Sequence, residues 1–144
     1  MKTHLVFALI LSGSMLLAQN VTTSLSQLNQ LITGYSFSLT KSNLKVTYLE
    51  EGEGNQKGDY FIVPLNSVSG ELTYSVGEYE GFYYRWSCSN GASCIYKFYN
   101  GNNYQFNDAA SFLYLVMGFE KAKKVAYLME DLMWSIKFPD IPHN

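Results

Sequence analysis

The chain has 144 residues, with 10 Lys and Arg against 12 Asp and Glu, and it carries twelve Tyr, nine Phe and two Trp. So aromatic and charge-poor a composition excludes a disordered chain, and a net charge of −2 excludes a surface built to neutralise phosphates, so nucleic acid is not an expected partner. One domain of about 125 residues, the length left after a leader, buries roughly two-thirds of its unfolded surface and needs no metal to fold.

The leader is residues 1–18. Lys2 precedes an apolar stretch, Leu5 to Leu11, and a second short apolar run ends at Ala18. The stretch is shorter than the roughly 20 residues that span a bilayer and has the form of a secretory signal peptide cleaved after Ala18. No cysteine follows that point, which excludes a lipid-anchored product. Residues 19–144 are then a single globular domain, secreted or periplasmic and of bacterial type, with no membrane insertion once the leader is removed.

From Val21 the pattern is helical. Thr23 or Ser24 can cap, Leu25, Leu28, Leu31 and Ile32 form a stripe, and Gly34 suits a left-handed stop. Alternation follows in Asn43–Leu49, with Leu44, Val46 and Tyr48 on one face. The polar turn Glu50–Asp59 leads to a strand at Tyr60–Val63, closed by Pro64. Ser67–Gly70 reads as a loop before a strand at Glu71–Val76, and Gly77–Glu80 links it to Gly81–Cys88. After Tyr99, Asn100–Asn103 is a turn and Tyr104–Phe106 a short strand. Ala109–Met117 fits either a buried strand or the front of the last helix, and Gly118 favours the strand. Beyond it Ala122, Val125, Ala126, Met129, Leu132, Met133 and Ile136 recur at spacings of three and four. That helix runs about 18 residues, or roughly 27 Å, and ends at Phe138-Pro139.

The segment from Gly81 to Tyr99 reads as a hairpin closed by Cys88 and Cys94. Pairing the cysteines across it sets Trp86 opposite Tyr96 and Tyr84 opposite Phe98, all on one face. Two cysteines in an exported chain form one structural disulfide, and their five-residue spacing is not that of a redox pair. The opposite face of the same hairpin carries Tyr83, Arg85, Lys97 and Tyr99, the residue types that supply interface energy, and these four are the partner-binding candidates.

Catalytic chemistry has little to work with. The only histidine after the leader is His143, at the chain's end, where a general base is not held in place. Paired cysteines leave no zinc ligand set. Glu50, Glu51, Glu53 and Asp59 cluster in a turn without the spacing of a calcium loop, which suits a solvated tip. Asp108, Glu120 and Asp131 are the remaining carboxylates open to a hydrolase reading. No catalytic residue, metal site or cofactor is therefore expected.

The order of elements is a short N-terminal helix, about seven mostly antiparallel strands and a long C-terminal helix, an α+β arrangement. From Ser36 to Lys137 this order resembles the pleckstrin-homology-like roll, a bent seven-stranded sheet closed at one end by a C-terminal helix. A lipocalin-like barrel is the rival, with eight longer strands. The resemblance implies a non-enzymatic binding module. Lipid recognition transfers poorly, because the first turn reads Glu50-Glu-Gly-Glu-Gly54 where phosphoinositide binders are basic. A protein or peptide partner is the expectation, with a second copy of the chain a further candidate. A small apolar-ligand carrier with an aromatic interior is the alternative, and a carboxylate-dependent hydrolase the third reading.

Overall fold

The structure, a computed structural model, describes residues 20–52, 54–78, 80–108 and 113–141. Residues 1–18, read above as a leader, and Glu53 and His143 lie outside these residues. The fold is α+β. Helix α1 covers residues 20–31. Eight strands follow: β1 Tyr35–Thr40, β2 Asn43–Tyr48, β3 Tyr60–Pro64, β4 Val68–Ser75, β5 Gly81–Cys88, β6 Ile95–Tyr99, β7 Asn102–Phe106 and β8 Tyr114–Leu115. Helix α2, Phe119–Lys137, closes the chain. Among the described residues no helix is long and apolar enough to cross a membrane.

The strands form two antiparallel sheets, a five-stranded one in the order β1-β2-β3-β6-β7 and a three-stranded one in the order β4-β5-β8. Residues 107–108 and 113–115 run beside β5 where the sheets meet. Asn107 accepts a bond from the Cys88 amide at 2.7 Å, Leu113 one from the Tyr84 amide at 3.1 Å, and β8 continues the pairing along β5. The core lies between the sheets and under α2. Phe61 of β3 meets Trp86 of β5 at 5.8 Å between ring centroids, and Tyr84 meets Trp86 at 5.1 Å. Val125, Leu128, Met129, Leu132 and Met133 of α2 are buried in the same cluster. The methionines are therefore core residues, as gap-filling side chains on a helix stripe tend to be. Leu28 of α1 and Ile32, just past its end, complete it.

Among the described residues eight strands stand where about seven were expected. The extra one is β1, in which Tyr35, Phe37 and Leu39 face inward. It escapes notice because its turn to β2 is Lys41-Ser42, with Lys41 at φ 56°, where a hairpin usually announces itself with Asn-Gly. Two local readings also shift. Val68–Gly70 belongs to β4 rather than to a loop. Thr23 and Ser24 lie inside α1 rather than at its start. The Ser24 hydroxyl instead donates to Asp131 of α2 at 3.2 Å. Gly34 does take the left-handed conformation, at φ 85°. Of Ala109–Met117, residues 109–112 are outside the described set. The rest is a two-residue strand followed by a helix that starts at Phe119, so α2 does not extend forward into this stretch.

The Cys88–Cys94 disulfide is present, with 5.8 Å between the Cα atoms, but the hairpin inferred around it is not. β5 pairs with β4 and β8, whereas β6 pairs with β3 and β7. Trp86 faces Gly70 across the ladder, and Tyr96 faces Ile62 and Gln105. The bond thus ties the two sheets together at their corner. On β6 it is Ile95 that is buried, while Tyr96 is exposed and Phe98 stacks on Tyr60. The physical reason is that a six-residue separation suits a corner as well as a hairpin, and β5 finds its long ladder with β4.

Candidate functional site

The four partner candidates do not share a face. Tyr83 and Arg85 lie on the outer face of the three-stranded sheet. Tyr83 packs on Tyr114 at 4.9 Å, and Arg85 is 3.7 Å from Glu71 and 3.5 Å from Asp108. Lys97 and Tyr99 lie on the inner face of the five-stranded sheet, where Lys97 is paired in register with Phe61. The Lys97 ammonium sits 5.5 Å from the Tyr48 ring and 5.3 Å from that of Tyr99. Burial pulls its pKa below the ordinary lysine value, and the charge of Asp59 works the other way. These contacts make Arg85 a strap across its sheet and Lys97 a half-buried cation among tyrosines.

The carboxylates are likewise dispersed into separate contacts. Glu50 and Glu51 are exposed, as a solvated tip requires. Asp59 departs from that reading. It is buried and accepts a 2.9 Å bond from the Gln56 amide, which organises the turn. Asp108 engages Arg85, Glu120 engages Lys123 at 3.0 Å, and Asp131 accepts from Ser24. Burial raises the hydroxyl pKa of Tyr35, Tyr48 and Tyr84 above the phenol range, Tyr35 also accepting a bond from the Tyr114 amide that partly offsets this.

A different feature stands out at the end of the molecule where α2 begins. Tyr74 of β4 and Phe82 of β5 face each other in register, with ring centroids 4.9 Å apart, and Phe119 stacks on Phe82 at 5.7 Å. These residues continue the inward row of Leu72, Tyr84 and Trp86. Yet α2 starts only at Phe119, so the cover it gives the rest of that row stops here. Tyr74 and Phe119 remain 51% and 53% exposed, and Val76 and Val116 beside them in sequence are 81% exposed. Tyr74 is held by a hydrogen bond from its hydroxyl to Glu80. Phe119 also lines a groove of about 490 Å³ with Leu31, Val116 and Met117, rimmed by Glu120 and Lys121.

Tyr74 and Phe119, on either side of the partly buried Phe82, form an exposed apolar patch next to the groove. The chemistry on offer is apolar anchoring with one charge of each sign at the rim. None of these residues stood out in the sequence. Alternation puts Tyr74 and Phe82 on the face of Leu72 and Tyr84 but does not tell where the cover given by α2 ends. Comparison with known proteins adds no name to this site: no protein-family model, curated protein or solved structure matches the chain.

Proposed function

We propose that this chain is a secreted or periplasmic, non-enzymatic binding module that takes a protein or peptide partner on its exposed aromatic end. The observation that carries the reading is the pair Tyr74 and Phe119, half exposed and both in ring contact with the partly buried Phe82, beside a groove lined by Leu31, Val116 and Met117. The disulfide supports an oxidising compartment. Two antiparallel sheets with a C-terminal helix support a roll of the pleckstrin-homology kind as the scaffold. The four residues named from sequence are weaker candidates, since they lie on two sheets and are already engaged.

A small apolar-ligand carrier is the second reading. Its support is the Trp86 Nε1 atom, which is buried without a hydrogen-bond partner, together with a groove in the size range of small-molecule sites. Native mass spectrometry of purified protein separates the two, because a carrier brings a small molecule with it.

The test of the first reading is affinity capture from the native extracellular or periplasmic fraction with two baits, wild type and the Tyr74→Ala/Phe119→Ala double variant. Loss of true anchors weakens binding by about 2 kcal/mol or more, roughly thirtyfold. Partners recovered by wild type and lost from the double variant are the expected result. Equal recovery by both baits would remove the aromatic end from consideration.

A further inference from the structure

The two sheets have four edges, and a bare edge is a template for another strand. Three are managed. β1 is clipped by α1: the Asn29 side-chain amide accepts from the Phe37 N–H at 2.8 Å and donates to the Phe37 carbonyl at 3.0 Å. β8 has only two residues. β4 carries Glu71, and Lys137 of α2 donates to its Val68 carbonyl. Among the described residues β7, Asn102–Phe106, has no such device. From Tyr99 to Asn107 the sequence is Tyr-Asn-Gly-Asn-Asn-Tyr-Gln-Phe-Asn, with no charge and no proline, and Asn102 to Gln105 are all exposed.

The register identifies which backbone groups are on offer. Tyr99 and Asn102 close a two-residue turn in which Asn100 and Gly101 have φ of 48° and 76°, the hairpin geometry whose closing pair exchanges both bonds. By alternation Asn102, Tyr104 and Phe106 direct their N–H and C=O groups at β6. Asn103 and Gln105 direct theirs outward. Among the described residues no backbone bond reaches those outward groups.

We propose that the outer edge of β7 pairs with the same edge of a second copy of this chain, antiparallel about a two-fold axis at Tyr104. That register sets Asn103 opposite Gln105 of the other copy, so each outward N–H meets an outward C=O. The two side-chain amides, each both donor and acceptor, face each other on the outer side of the sheet. Tyr104 meets its own equivalent on the inner side in the non-hydrogen-bonded position. The absence of charge is what makes the edge self-compatible, since like charges opposed across a two-fold axis repel. The pairing joins two five-stranded sheets into one and leaves the aromatic end, built on β4, β5 and α2, clear of the interface.

Sedimentation equilibrium of the full exported protein tests this, with Gln105→Pro as the first variant. Proline there removes one outward N–H and spares the bonds to β6. The expected result is a concentration-dependent dimer whose dissociation constant rises at least about tenfold in the variant, with the far-ultraviolet spectrum retained. Tyr104→Cys is the second variant and does not depend on the proline being tolerated. Two cysteines on the axis fall within disulfide reach, so covalent dimer forms faster than with Lys57→Cys, an exposed control in another turn. A wild type that stays monomeric at every concentration, a dimer indifferent to Gln105→Pro, or equal cross-linking of the two cysteine variants overturns the proposal.

Discussion

β5 feeds two aromatic clusters that are alike in contact and opposite in environment. Around Tyr84 and Trp86, rings meet at 5.1 and 5.8 Å, and Trp86 and Phe61 have no exposure at all. Two residues earlier on the same face, Phe82 meets Tyr74 and Phe119 at 4.9 and 5.7 Å, with the two partners half exposed. Ring contact alone therefore does not separate core from surface. What separates them is cover: the first cluster lies between two sheets and under α2, and the second begins where α2 does. The first cluster is a folding element. The second is not enclosed in that way, and the proposed recognition role rests on it.

The sharpest way to break the comparison is to truncate one ring from each cluster. Trp86→Ala should cost about 3–5 kcal/mol, the range for deleting a large buried aromatic. Phe119→Ala, half exposed at a helix start, should cost under about 1 kcal/mol. Denaturant midpoints compared at equal slope read both values. Similar costs would erase the distinction between the clusters.

Gly70 sharpens the picture of the buried cluster. A Cβ added there would lie 2.2 Å from the Tyr84 hydroxyl oxygen and 2.8 Å from Met133 Cε, so the tyrosine ring occupies the space a side chain would need. Gly70→Ala should therefore destabilise by up to about 3 kcal/mol, as overpacking does. Thermal unfolding measures it, and an unchanged midpoint would show that Tyr84 can swing away.

The corner beside the buried cluster contributes less. Removing the disulfide by the paired Cys88→Ser, Cys94→Ser change should cost about 2 kcal/mol, the entropy of closing so short a loop. Peptide mapping without reduction locates the bond, and urea unfolding gives its worth.

The smallest effect is on alkaline stability. Burial holds Tyr35, Tyr48 and Tyr84 protonated beyond the ordinary tyrosine value of 10.0. The unfolded chain then releases those protons first, so their contribution is fully present below pH 10 and is lost as pH rises above it. Lys97 has the opposite sign. Its lowered value makes stability rise with pH up to the unfolded value of 10.5. With three tyrosines against one lysine, the guanidinium midpoint should fall above about pH 10 and fall less in Tyr84→Phe. A midpoint that climbs through this range would contradict the burial of these hydroxyls.

Much of the fold was legible in residues that obey one period. α2 was, because Ala122, Val125, Met129, Leu132 and Met133 keep helical spacing and are all buried. The disulfide was legible from two cysteines in a chain whose N-terminus reads as a leader. The hairpin around it was misread because period two establishes which residues share a face and is silent on which strand lies alongside. One warning was present. The hairpin register would have set Arg85 against Lys97, a mild repulsion, and the structure instead gives Arg85 the carboxylates of Glu71 and Asp108. The aromatic end was illegible for another reason. Exposure of Tyr74 and Phe119 depends on where α2 stops covering β4 and β5, a fact of tertiary packing that no local pattern contains.

The claim that the exposed aromatic end recognises a peptide is tested most directly by selecting binders from a displayed random-peptide library on the wild-type protein. The dissociation constant of the enriched peptides is then compared between wild type and the Tyr74→Ala/Phe119→Ala variant. Peptides with an apolar or aromatic anchor, weakened roughly thirtyfold or more in the variant at unchanged fold, are the predicted result. Peptides that bind both proteins equally would contradict the account.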